Sequence, residues 1–141
     1  MKACYSTKPL KNAFTKLNGE VAVSIDWKAI QIQIGSVLSD EYECTELDFR
    51  KTMLSTDYVI EQFVREKYSQ SEEFSLINAY QASIAGIEVD NVKEAEYLNF
   101  LAWRTSMKEQ VKEAVTSYMD ENPLKEDAST QSDTVDETTK E

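Results

Sequence analysis

Enzyme chemistry rests on a few side-chain types, and this chain lacks the most versatile of them. Its 141 residues include no histidine. Histidine titrates near neutrality, so its absence removes the commonest general base, imidazole metal ligation and every Ser-His or Cys-His nucleophile pair. The two cysteines, Cys4 and Cys44, stand far apart in sequence. They make neither a zinc site nor a disulfide framework, and read as reduced, partly buried thiols. Gly19, Gly35 and Gly86 are too scattered for a phosphate-cradling loop.

Carboxylates remain, and each group has a structural reading. Glu72/Glu73 and Glu94/Glu96 fall in the first turns of expected helices, where the helix dipole favours acids. Asp40, Glu41 and Glu43 form an acidic cluster without the spacing of a calcium loop. Arg104 interrupts an apolar helical stripe, so its stem packs on the stripe while its head reaches water, or meets an acid from another element. No residue is assigned a catalytic, cofactor-binding or metal-ligating role. The expectation is a protein that is not an enzyme and needs no cofactor.

Charge narrows the partners. Of the formal net charge of −11, residues 120–141 contribute eight acids against Lys125 and Lys140. About half of the imbalance therefore sits at that end, and 123–141 reads as a disordered acidic tail following a single globular domain over 1–122. No clustered basic face offers itself to nucleic acid. There is no run of about 18 apolar residues to cross a bilayer, and MKACYSTKPLKNAF has no apolar core for a secretory leader. The expectation left is a cytosolic protein, or a virion component assembled in the cytosol.

The elements follow from periodicity. Leu10, Phe14 and Leu17 have helical spacing, giving a short helix over 9–17 before the Asn18-Gly19 turn. Val21, Val23, Ile25 and Trp27 alternate with polar or small residues. Ile30, Ile32 and Ile34 then alternate in the opposite phase. This reads as two short strands around a turn near Asp26–Lys28, or one bulged strand. Trp27, Ile30, Ile34, Val37 and Leu38 also fit a helix capped by Asp26, but the β-branched enrichment favours strands. Thr45 caps a possible short helix carrying Leu47, Phe49 and Met53.

From residue 56 the pattern is helical. Ser55 or Thr56 caps a helix with Val59, Ile60, Phe63, Val64 and Tyr68 on one stripe. Ser69-Gln70-Ser71-Glu72 is a capping box opening a second helix that ends at Gly86. Asp90 or Asn91 caps a third, which Asn122-Pro123 ends near Asp120. Its segment from Leu98 to Trp103 is apolar almost all round, so it is core or contact surface. The fold class expected is α+β: mainly helical, three helices over 56–120, with a small β-hairpin or bulged strand near 20–35.

VREKYSQSEEFSLINAY (64–80) and EYLNFLAWRTSMKEQVKEA (96–114) resemble the C-terminal helices of small tailed-phage and prophage proteins of the tail-structure region. Arg65, Lys67, Tyr68, Ser69, Ser71 and Glu72 match that family's helix junction, whereas the apolar Ile84–Val89 replaces its charged stretch. The chain is also similar in type to phage tail assembly chaperones, being small, helical and acidic. The resemblance implies a non-enzymatic structural or assembly protein acting through a protein partner or self-association. Tyr97, Phe100, Trp103 and Met107 are the expected interface. The rival expectation is an acidic anti-defence inhibitor that mimics nucleic acid, which needs regularly spaced acids on the folded body.

Overall fold

The computed structural model describes residues 1–123. The expected disordered tail over 123–141 therefore lies, from 124 onward, outside the described residues.

Strands β1 (Lys2–Tyr5), β2 (Ala13–Thr15), β3 (Val21–Ile34) and β4 (Val37–Phe49) form one antiparallel sheet in the order β1-β4-β3-β2. A 3-10 turn at Lys51–Met53 leads into α1 (Thr56–Lys67), α2 (Gln70–Ile84) and α3 (Asn91–Glu121). The α+β class stands. The expectation of a mainly helical chain with only a small hairpin or bulged strand near 20–35 is overturned, because the sheet occupies most of residues 2–49.

Two local expectations fall with it. The helix over 9–17 is absent: Leu10 and Leu17 are fully exposed, and Ala13–Thr15 pair with Val21–Val23 instead. A stripe of three residues cannot hold a short helix when a neighbouring strand offers backbone partners. The helix expected after Thr45 is also absent, because this stretch is the second half of β4, paired with β3 from Val21↔Phe49 to Ile34↔Val37.

Directly opposed residues share a face of the sheet. Val21, Val23, Ile25, Leu47 and Phe49 thus lie on one face, which carries the core. Against it pack Val59, Phe63 and Val64 of α1 and Phe100, Met107, Val111, Val115 and Tyr118 of α3. Val21, Val23, Ile25, Val59, Met107 and Val111 are all completely buried. The Tyr118 hydroxyl lies 2.6 Å from Thr15 Oγ1, tying the end of α3 to β2.

The other face has its own small cover. The link from β1 to β2 must cross β4 and β3, since those strands lie between them. Tyr5, Phe14 and Trp27 cluster there, with Lys8 over the Trp27 ring. Buried on this side are Ser24, Cys44 and Glu46.

The helix caps follow their sequence signals. Ser55 Oγ accepts from the Tyr58 amide, Asp90 accepts from the Lys93 amide, and Ser69 and Glu72 form a reciprocal capping box.

Candidate interaction surface

The sheet continues past its own core. β1 pairs only with residues 42–45 of β4, and β2 only with 21–23 of β3. Residues 28–41 are therefore a two-stranded arm. It is closed by a two-residue turn with Gly35 at φ 64, the first central position, where hairpin turns favour glycine.

A bulge sits at the base of the arm. The register shifts between Ile25 and Lys28, so Ile25 faces Thr45 while Lys28 faces Glu43. One extra residue reverses the alternation, which is why apolar side chains occupy odd positions before the bulge and even positions after it. Because β4 runs through without interruption, Ile30, Ile32 and Ile34 lie on the same sheet face as the core row. They lie beyond the helices that cover that row. Neither they nor Val37 and Leu38 join the core or pack against it. Ile34, Val37 and Leu38 are 67%, 63% and 62% exposed and make the tip of the arm apolar.

Asp26 holds the bulge in place. It is the one non-glycine residue with positive φ among the described residues, at 58. Asp tolerates the left-handed region better than most residues. Its amide donates to Gln110 Oε1 at 2.8 Å. Its carboxylate accepts from Trp103 Nε1 at 2.9 Å and from Gln110 Nε2 at 3.0 Å. Three hydrogen bonds thus clamp the base of the arm to the middle of α3. Lys2, Thr45, Phe63 and Lys67 help enclose a cleft of about 240 Å³ around this anchor.

The residues expected to form an interface on α3 separate. Phe100 and Met107 are 2% and 0% exposed and belong to the core, because that side of α3 packs against the sheet and α1; they offer no surface to a partner. Phe100 meets Tyr68 edge-to-face at 4.8 Å. Tyr97 is half-buried and stacks on Tyr80 at 4.5 Å, joining α2 to α3. Trp103 is half-buried as well, with the Lys67 ammonium 4.5 Å above its ring and its indole N–H committed to Asp26. These side chains build the body and position the arm.

The candidate carboxylates are likewise engaged in structure. Glu72 completes the cap of α2, and Glu73 binds Arg65 at 2.7 Å. Arg65 also reaches Glu61 and the Tyr68 carbonyl, so the motif around 65–72 is a clasp between α1 and α2. Glu94 accepts from the Ser83 hydroxyl, and Glu96 pairs with Lys93. On the arm, Asp40 accepts from Gln31, Glu41 from Ser39, and Glu43 pairs with Lys28. Arg104 makes no ion pair among the described residues. No group of three metal-ligating side chains forms among them either.

The covered face holds several of the perturbed groups. Burial, then the hydrogen bond to Glu46, raises the Tyr5 hydroxyl above its ordinary pKa. Burial pushes the Cys44 thiol up to about 11. Lys16 bridges Glu46 and Asp48 at 3.6 and 3.0 Å. Cys4 is exposed, on the opposite face from Cys44, and both thiols are free.

No family model, no curated protein and no solved structure matches this chain.

Proposed function

We propose that this chain is a non-enzymatic assembly protein whose working element is the β3–β4 arm. The observation that carries the reading is an apolar strand pair extending past its own core, with three isoleucines in a row on one face and an exposed tip. Exposed apolar strands are an aggregation hazard, and proteins that keep them commonly cover them with a partner. The three-bond clamp at Asp26 supports the same reading, since a presented element needs a fixed base. The likeness of the 65–72 junction to small tailed-phage proteins points the proposal towards assembly of a virion or its tail. The body, with its aromatic α3, is the scaffold.

The test is site-specific photo-crosslinking in the cell of origin. A photoreactive side chain at Ile32 should give discrete adducts, identified by mass spectrometry. The same side chain at Lys112, on the outer face of α3, should give none. Diffuse or absent adducts at Ile32 would overturn the arm as the working surface.

A further inference from the structure

We infer that the arm pairs with a second copy of itself, β3 against β3, antiparallel along Lys28–Ile34 and centred on Ile32. The inference rests on the reading of the arm as a contact element and names its occupant.

The first observation is an open edge. Along Lys28–Ile34, β3 has β4 on one side and no strand on the other among the described residues. The edge reads Lys-Ala-Ile-Gln-Ile-Gln-Ile, with no proline, no glycine and no acid. Edge strands left in solvent are usually guarded by charge, proline or a bulge along their length. Here the bulge and Lys28 stand only at the inner end, and the outer five residues carry no guard.

The second observation is that this edge is complementary to itself. Ile30-Gln31-Ile32-Gln33-Ile34 reads the same in both directions. Antiparallel pairing about Ile32 sets Ile30 opposite Ile34, Gln31 opposite Gln33, and Ile32 opposite its own mate. Apolar side chains then meet apolar ones on one face, and amides meet amides on the other, which is the favourable cross-strand arrangement. A two-fold axis through the sheet at Ile32 generates all of these pairs, so the contact is isologous.

The third observation is charge. The chain carries a net −11, and copies of an acidic protein repel. The free edge of β4 carries Asp40 and Glu41, so copies meeting through β4 would gather four acids at one seam. Meeting through β3 brings only Lys28 to the seam, opposite Ser36. The two β4 strands then lie three strand spacings apart, about 14 Å. That exceeds the screening length of about 8 Å at physiological salt. The pairing also closes at two copies. The partner's turn at Gly35-Ser36 reaches the level of Ala29 and Lys28, short of where β2 occupies the edge at 21–23. Each dimer consumes both of its free β3 edges. The product is a four-stranded ribbon, β4-β3-β3-β4, joining two bodies.

The test uses the full chain, in sedimentation velocity over a range of concentrations and salt. The result expected is a monomer–dimer equilibrium that strengthens with salt, because screening relieves repulsion. Ile32→Lys places two like charges together at the axis and should weaken the dimer by about tenfold or more. Thr116→Lys, at an exposed position of α3 far from the arm, should leave it unchanged. Hydrogen exchange on the unaltered chain should show the edge-facing amides of Ala29, Gln31 and Gln33 becoming protected as concentration rises, a readout independent of how any variant folds. A chain monomeric throughout overturns the inference. So does a dimer that survives Ile32→Lys while those three amides exchange at the monomer's rate. A monomer that still yields adducts of another protein at Ile32 overturns self-pairing alone; a monomer without adducts overturns the arm's contact role too.

Discussion

Replacing Asp26 separates the two things this residue does. Its carboxylate accepts two hydrogen bonds, from Trp103 and Gln110, and its backbone sits at φ 58. Each bond is worth about 0.5–1 kcal/mol at this partly exposed site. Holding alanine in the left-handed region adds about 1 kcal/mol. Asp26→Ala should therefore destabilise the fold by about 2–3 kcal/mol. Asp26→Gly loses the same bonds but not the conformational freedom, and should be about 1 kcal/mol less damaging. Asp26→Asn keeps one acceptor and tolerates the backbone, so its loss should stay below about 1 kcal/mol. Urea titration measures all three, and the emission of Trp103 should shift as its indole N–H loses its partner. The expected order of stability is Asn, then Gly, then Ala. Alanine and glycine giving equal losses would refute the conformational argument. All three lying within about 0.5 kcal/mol of the parent would refute the clamp itself.

Other parts of the molecule give sharper yes-or-no outcomes. Phe100→Ala empties a site that is 2% exposed, so stability should fall by about 3–5 kcal/mol. Sedimentation of the still-folded fraction should show no change in association. Cys44 is held neutral up to about 11, against an ordinary 9.0. The unfolded thiol therefore ionises first, and stability should hold below pH 9 and fall as pH rises from 9 towards 11. The raised Tyr5 hydroxyl acts in the same direction. Urea titrations across that window should show the decline, and Cys44→Ala should make it shallower, leaving the part due to Tyr5. At pH 8 a thiol reagent should find Cys4 at once and Cys44 only after unfolding.

The helical half was legible because its signals are local. Ser55, Ser69 and Asp90 each bond an amide three residues ahead, and such a spacing is visible in the sequence. The extent of β3 was half-legible. The phase reversal between Ile25 and Ile30 marks the bulge, and the structure has the bulged strand rather than two short strands or a helix capped by Asp26. β4 was hidden because Asp40, Glu41, Glu43, Glu46 and Asp48 mask its alternation, and acids are poor strand formers. Its conformation comes from pairing with β3, a partner that local propensity does not register. β1 and β2 are too short to carry a period at all. The α3 aromatics were expected at an interface, with core as the other reading, and the choice between them depends on what packs there. Once the sheet and α1 cover that side, Phe100 and Met107 are inside. The arm's apolar row was visible as residues, but that it runs past the core follows only from where β1 and β2 stop pairing.

The strand order also sets the sequence of folding events. β3 and β4 meet through a two-residue turn, so their hairpin needs little loop closure and forms on the microsecond scale of isolated hairpins, about 1–10 μs. β2 joins β3 through the short turn over 16–20, but β1 has no such neighbour. β1 lies against residues 42–45. Residues 2–5 are synthesised well before the strand they pair with. They must wait while the central hairpin and the helices assemble, and contacts of such long sequence separation come at the slow end of folding. Until they dock, the far side of the sheet has no cover, and Ser24, Cys44 and Glu46 stand open to solvent. The crossing segment is thus the latch of this fold, the last part to shut.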